Sequence, residues 1–381
     1  MADAQHTGGT GGQSRRVIFI DLARALATVF MLYGHAVAAL LAPEYQKGTW
    51  FEIWVFQRGL TSSLFLLLSG FAFSIATSKH WAAHGHLSIA FIRRTRRFLL
   101  FVVLGYALHF PVQRFVDLAS APTDRWLSFL AVDVLQLIGA TFLAVQLLVL
   151  ATRTRRAFTT ALFIATLMAI FLADWIWSLD VSRMPAWIAS YLSPKTGSQF
   201  PLFPWAAFIL TGAMLGQLYA ASGAAPIARY ANRALLVPGV ILFGAALLIG
   251  VLPLSLAGDA WDAMPTQVAL RMGPSLLVLG AIAHASRRVV RLPHVFGAVA
   301  QETLLIYFIH LCIVYGSIWN SGLVQRFGPT LNPLEMLICV LLLIAAMVVL
   351  AYYWNRLKHA RPRSARWISI GAGGLLLYNL L

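Results

Sequence analysis

RALATVFMLYGH, residues 24–35, lies inside an apolar run that begins near residue 17 and carries an arginine at one end and a histidine at the other. The run, 17–42, is long enough to cross a bilayer, since a hydrocarbon core of about 30 Å needs about 20 mostly apolar residues at about 1.5 Å each. An ionisable side chain in hydrocarbon costs roughly 2.5 to 3.5 kcal/mol on insertion scales, so Arg24 and His35 mark a candidate functional site and call for partners. Eleven residues at about 100° each return a side chain to within roughly 20° of the same face and raise it about 16 Å. The two therefore line one stripe, one above the other.

The rest of the chain repeats the character of that first run. The sequence has 381 residues, of which 60% are hydrophobic and 11% charged, a composition outside that of water-soluble globular proteins. Ten segments of spanning length and a shorter eleventh are predicted: 17–42, 54–78, 97–116, 127–151, 158–180, 201–222, 234–256, 265–286, 296–320, 332–355 and 367–381. The expected fold is all-α, a polytopic integral membrane helix bundle of 10–11 transmembrane helices. A polar, Gly-rich tail at 1–16 precedes a single membrane domain over 17–381. The first run is too long for the h-region of a signal peptide, so an uncleaved start is expected.

The net charge of +16 at neutral pH invites a nucleic-acid reading, but the positions of the basic residues give a simpler account. If the spans alternate from a cytoplasmic N-terminus, twenty of the 29 Lys and Arg residues fall on the cytoplasmic side. They cluster at Arg15–Arg16, Lys79–Arg97, Arg153–Arg156, Arg229–Arg233, Arg287–Arg291 and Arg356–Arg366, while eight fall opposite and Arg24 lies within a span. This is the positive-inside pattern. No nucleic-acid partner is expected, and the chain is placed in the cell membrane, inner or plasma, with its N-terminus cytoplasmic and membrane lipid around it. Cys312 and Cys339 lie far apart in apolar segments and suggest neither a disulfide nor a metal. The histidines His80, His84 and His86 lack a supporting Cys, Asp or Glu, so link 79–96 reads as a short interfacial helix whose arginines meet anionic lipid or a polyanionic ligand. No internal repeat with matching helix breaks is evident, which counts against an inverted-repeat transporter.

With directions assigned to the spans, depth follows from position. The outer level collects Arg58, His109, Asp133, Gln136, Asp174, Trp205 and His310, and the inner level is shorter, chiefly Asp21, Arg24 and Glu302. Several of these have structural readings as well. Asp21 and Arg24, spaced i, i+3, can neutralise each other, and His109 and His310 can be neutral histidines bonded to backbone carbonyls. Asp133 is harder to set aside, because a carboxylate about six residues inside an apolar span is costly without a partner. His35, at the same level, is the candidate partner. A histidine held by a carboxylate suits general-base work, since a pKa of about 6.5 lets it take up a proton at neutral pH and return it. The tryptophans Trp50, Trp54, Trp126, Trp175, Trp177, Trp187 and Trp205 form an interfacial belt, with one or two available for stacking on carbohydrate.

Four sets of residues resemble one family, in order and on the right spans. RVIFIDLARALATVFMLYGHA (16–36), with ten residues between arginine and histidine, resembles the first span of the transmembrane acyltransferase superfamily. That group includes the acyltransferase-3 proteins that modify cell-surface sugars and the branch of heparan-alpha-glucosaminide N-acetyltransferase. SLFLLLSGFAFSIA (63–76) is similar to the family's second-span Ser-Gly-Phe signature and ETLLIYFIHL (302–311) to its late Tyr-x-x-His signature. PLFPWAAFILTGAMLG (201–216) and DVLQLIGA (133–140) resemble segments of the heparan-type branch. Ala25 stands where many members have glycine.

The resemblance implies a single transmembrane acyltransferase-like domain that takes an acyl group, acetyl foremost, from acyl-CoA on the cytoplasmic side. The group goes to a hydroxyl or amine of a sugar or glycoconjugate on the other side. In that frame His35 is the expected base, with Asp133 or Asp174 as its orienter and His310 in the catalytic set. Arg58, His109, Gln136 and Trp205 are the expected acceptor contacts, Arg58, Gln136 and His310 also being candidates for the oxyanion. Arg24, Asp21, Arg93, Arg94 and Arg97 are expected at the CoA phosphates, where a guanidinium fork pairs well. No metal is expected. Direct transfer and a covalent acyl-histidine both stay open. Ser69, in LSGF, reads as a close helix contact rather than a nucleophile. Two other function classes are carried forward: a proton-coupled transporter or flippase, and a non-catalytic membrane subunit, favoured if His35 and Asp133 do not meet.

Overall fold

The computed structural model describes residues 17–223, 226–251, 265–289 and 292–378. The expected tail 1–16, Arg291, the far end of the predicted 234–256 span and the last three residues of the predicted 367–381 span lie outside them. Among the described residues twelve helices build the bundle: α1 (Ile18–Leu40), α2 (Thr49–Lys79), α3 (Ile89–Leu108), α4 (Val134–Ala151), α5 (Arg155–Phe171), α6 (Leu202–Ala221), α7 (Ile227–Ile249), α8 (Pro265–Ala285), α9 (His294–Gln301), α10 (Thr303–Tyr315), α11 (Pro333–Ala360) and α12 (Pro362–Tyr378). No strand forms among them beyond two isolated bridges, Leu41 with Leu331 and Ser317 with Asn320. The fold is an all-α, multi-pass membrane bundle. The helices α1, α2, α4, α6, α7, α8 and α11 are each long and apolar enough to cross a membrane, and α9 with α10 form an eighth candidate as a pair bent by 73°. Of the remaining predicted spans, α3 carries four arginines, and α5 and α12 are each 17 residues long.

Caps and breaks explain where the helices differ from the apolar runs. Helix α3 starts at residue 89, not 97, because Ser88 caps it: its Oγ accepts the Phe91 N–H at 3.1 Å. The four arginines thereby fall in the first turns of the helix, with Arg93, Arg96 and Arg97 exposed and Arg94 turned onto α2. Asp133 caps α4, with Oδ1 accepting the Val134 N–H at 2.7 Å, so the segment 123–130 is a separate short helix and not the start of the predicted span. Asn332 and Glu335 form a reciprocal capping box on α11, behind Pro333 at the first helical position.

Contact between backbones holds the centre together. A methyl on Gly70 of α2 would overlap the Ile209 carbonyl of α6, and one on Gly212 would overlap that of Leu67. One on Gly216 would stand 2.7 Å from the Phe71 carbonyl oxygen. Small residues four apart on α6 thus let it lie directly on α2, as in membrane helix pairs that lack a hydrophobic drive to associate. Ser69 donates to its own helix at the Phe65 carbonyl, 2.8 Å away, so LSGF serves helix contact.

The helices alternate in direction and sort the charge. At the mouth where α1 begins, Phe19 packs on Phe71, Tyr219 and Tyr230. Arg94 and Arg155 bond to the C-terminal turns of α2 at Thr77 and Ser78. The His284 ring meets Asn232 there at 2.7 Å. The described members of the basic clusters collect at this mouth, called here the arginine mouth; the other, where α1 ends, is the histidine mouth.

The predicted span 296–320 is broken at Glu302. Its carboxylate, buried at 5% exposure, accepts from Lys358 Nζ at 2.9 and 3.0 Å and from Asn355 Nδ2 at 2.9 Å, pinning the bend to α11. The Lys358 side chain is 44% exposed, which makes the pair asymmetric. Lys358→Met strands a buried carboxylate and is expected to cost about 3 kcal/mol. Glu302→Gln strands an ammonium that water can reach and is expected to cost about 1 kcal/mol. Thermal unfolding of both variants in the same detergent checks the order, and equal melting temperatures would contradict it.

Candidate active site

At the histidine mouth the bundle encloses a chamber of about 970 Å³, within the range of ligand cavities. Met31, Gly34, His35 and Ala38 line it from α1 at the i, i+3, i+4, i+7 spacing of one helix face. Arg58, Thr61, Ser62 and Phe65 do the same from α2, and Tyr307, Leu311 and Tyr315 line it from α10 at intervals of four residues. His109 at the end of α3, Asp133 at the start of α4, Trp205 and residues of the loop before α6 complete the wall. Five of the sequence-predicted outer residues, His35, Arg58, His109, Asp133 and Trp205, thus come to one cavity.

His310 joins them behind His35. His310 Nε2 stands 3.1 Å from His35 Nδ1, and His310 Nδ1 stands 2.8 Å from the Ile306 carbonyl. A carbonyl only accepts, so His310 Nδ1 carries the proton, and with the ring neutral its Nε2 is bare. His35 Nδ1–H then donates to it, which leaves the lone pair on His35 Nε2. Tyr315 packs its ring edge against His35, with centroids 5.8 Å apart, and its hydroxyl donates to the His35 carbonyl at 3.4 Å. The ring is thereby held in one tautomer and one orientation, as a proton acceptor needs.

The expected pairing of His35 with Asp133 is corrected: the residue against His35 is His310. One Asp133 oxygen is spent on the α4 cap, and the other faces the Tyr307 hydroxyl at 3.5 Å. The sequence reading placed Asp133 well inside a span, whereas it stands at a helix start, where backbone N–H groups claim a carboxylate. Asp174 is corrected too, being exposed on the short helix Ala173–Ser178 and outside the chamber wall. Gln136 is fully buried, packed where a Cβ on Gly105 of α3 would sit, and it does not line the chamber. Arg58 does line it, with its guanidinium 5.3 Å from the Trp54 ring centroid. Trp205 is buried against Phe200 and Phe208. Tyr307 is the tyrosine of the Tyr-x-x-His signature in ETLLIYFIHL, to which the sequence assigns no role, and Tyr315 carries no signal in the sequence beyond its place two helical turns after Tyr307.

The arginine mouth holds the other set. Arg24 is half-buried, and its Nη1 reaches the Ala300 carbonyl at 3.5 Å, with Asp21 and Arg97 near enough to feel its charge. Arg93 and Arg97 are exposed. Arg94 is not available in the way expected of it: Nη2 donates to Thr77 Oγ1 at 2.7 Å and to the Phe73 carbonyl at 3.0 Å, and the guanidinium lies 3.9 Å from the Phe73 ring centroid. It clamps α3 to α2. The chamber's lining on α1 stops at Phe30, six residues or about 9 Å short of Arg24. Among the described residues no group of three or more His, Cys, Asp or Glu side chains is placed to hold a metal ion.

Residues 16–252 match the family model of the heparan-alpha-glucosaminide N-acetyltransferase catalytic domain. The chain belongs to that family. No curated protein matches it. The match falls on the heparan-type branch of the resemblance, and membership implies a membrane acetyltransferase. It spans α1 to α7 and so includes His35, Arg58, His109, Asp133 and Trp205, while the Tyr307, His310 and Tyr315 side of the same chamber comes from the chain beyond it.

Proposed function

We propose that the protein transfers an acetyl group from acetyl-CoA, bound from the cytoplasmic face, to an amine or hydroxyl of a sugar or glycoconjugate entering from the opposite face. The observation that carries this is the His35–His310 pair on the wall of a ligand-sized chamber in a chain of this family. His35 Nε2 takes the proton of the attacking amine or hydroxyl as its nitrogen or oxygen bonds to the acetyl carbon, and His310 supports the resulting imidazolium through the bond to Nδ1. The proton passes to the departing CoA thiolate as the C–S bond breaks. Arg58 is the positive group on the wall suited to the developing oxyanion. Tyr307 and Asp133 set the position of α10 against α4, and with it that of His310. Trp205 and His109 border the space left for the acceptor. At the other mouth the cationic set fits a polyphosphate: Arg93 and Arg97 are exposed, and among the described residues Arg24 makes one long hydrogen bond, to the Ala300 carbonyl, with the Asp21 charge beside it. The basic clusters orient the N-terminus to the cytoplasm of a cell membrane, inner or plasma, by the positive-inside rule.

The absence of a His35–Asp133 contact would favour a non-catalytic subunit if it left the histidine without an orienter. His310 fills that place. A transporter reading has no observation of its own beyond the buried charges.

The test is release of free CoA thiol by purified protein given acetyl-CoA and glucosamine. Acceptor-dependent release is expected; no release, with no binding of acetyl-CoA, would overturn the reading. Arg24→Gln is expected to raise the KM for acetyl-CoA about tenfold with kcat nearly unchanged, the pattern of a lost binding contact.

A further inference from the structure

Segment 316–331 joins α10 to α11 at the histidine mouth and is bonded to the ends of two helices. On α10, Asn320 Nδ2 donates to the Cys312 carbonyl at 2.7 Å and Gln325 Nε2 to the Tyr315 carbonyl at 2.8 Å. On α1, the Leu331 N–H donates to the Leu40 carbonyl at 2.9 Å, and the Ala42 N–H, just past the helix, returns a bond to the Leu331 carbonyl at 3.0 Å. The carbonyls of a helix's last turn have no partner within the helix. Here one segment supplies partners to α1 and α10 together.

The two side chains that reach α10 are themselves held. Ser317 Oγ donates to Asn320 Oδ1 at 2.6 Å, and Gln325 Oε1 accepts the Gly322 N–H at 2.8 Å. Gly316 makes the turn out of α10 at φ +78°, in the region that favours glycine. Asn320 and Gln325 are both exposed. Water could satisfy their amides, so their bonds into the chain serve the backbone they hold.

That backbone carries the histidine pair. His35 stands five residues before the last residue of α1 and His310 five before the last of α10, which places each about 7.5 Å along its helix from the segment. Helix α10 is only 13 residues long, and Glu302 pins its start to Asn355 and Lys358 of α11. Its register therefore depends on its ends. A slip of one residue would turn His310 by about 100° and shift it about 1.5 Å along the axis, enough to break the 3.1 Å bond to His35.

We infer that segment 316–331 sets the register of α10 against α1, and that Asn320 and Gln325, acting through it, are positioning residues for the His35–His310 pair. The effect on rate rests on the acyl-transfer reading, whereas the effect on the His35 ring does not.

The test compares full-length Asn320→Ala and Gln325→Ala with the parent in detergent, by thiol release and by NMR of protein labelled with nitrogen-15 in its histidine rings. The His35 signals are those missing from His35→Ala. The parent should show one His35 tautomer, protonated at Nδ1. Each variant should show both tautomers and lose about tenfold in kcat, the effect of one or two hydrogen bonds. The KM for acetyl-CoA should stay the same, because the phosphates bind at the other mouth. Arg326→Ala, at the exposed neighbour of Gln325, should match the parent in both readouts. A single His35 tautomer in both alanine variants would overturn the inference, and so would mixed tautomers with kcat unchanged. Mixed tautomers in the variants of a parent that releases no thiol retire acyl transfer and leave the positioning role standing. A loss of kcat with the tautomer fixed retires the positioning role alone.

Discussion

Replacing His35 with alanine is expected to lower thiol release from acetyl-CoA by about 10²- to 10⁴-fold, the range lost when a general base is removed. The substitution takes away the lone pair on the chamber wall and leaves His310 Nε2 without its donor. His310 is the informative second position. Its Nδ1 is fixed by the Ile306 carbonyl and its Nε2 meets His35 at 3.1 Å, so His310→Ala frees the His35 ring to turn and to change tautomer. A loss of about 10²-fold is expected there, smaller than at His35, because the base itself remains. The double variant should be little worse than His35→Ala alone, as for residues that act as a unit. A His35→Ala protein that retains a rate within tenfold of the parent would remove His35 from the chemistry.

Gly212→Leu is expected to abolish the folded bundle. The glycine lies against the Leu67 carbonyl, on a surface where Leu67 and Ile209 are fully buried. Backbone cannot turn aside as a flexible side chain can, so α6 must move away from α2. Overpacking costs of about 1–3 kcal/mol are usual when side chains yield, and a backbone clash belongs at or above the top of that range. The expected observation is loss of the monodisperse peak on size exclusion in detergent, or a large drop in melting temperature. Gly216→Ala, facing Phe71 across a looser gap, is expected to be milder. The same shift would separate Arg58 and Thr61 on α2 from Trp205 on α6, so any surviving protein should also lose binding in the chamber.

The bundle was legible in the sequence because its signal is local: apolar length fixes a span, and the basic links fix alternation. The polar set around His35 was legible for a related reason, since depth follows from position along a span. Direction around the helix axis and partner choice were not, because both depend on tertiary packing. Equal depth made Asp133 look like the partner of His35, but the start of α4 at residue 134 turned that carboxylate into a cap. Likewise the bend at Glu302 depends on Asn355 and Lys358, more than fifty residues away, and no apolar pattern records it. The Ser88 cap that draws four arginines into α3 was readable in principle, as a serine before a helical run, but the charges behind it masked the start.

The two histidines that meet at 3.1 Å are 275 residues apart in the chain. At synthesis rates of about 5–20 residues per second, His35 enters the membrane roughly 14 to 55 s before His310 is made. On the role proposed for the pair, chains that end before α10 should therefore be inactive. Tyr307, Leu311 and Tyr315 complete the chamber wall and His310 orients the His35 ring, so partly inserted or prematurely terminated chains carry Arg24 and His35 without the neighbour that holds the ring.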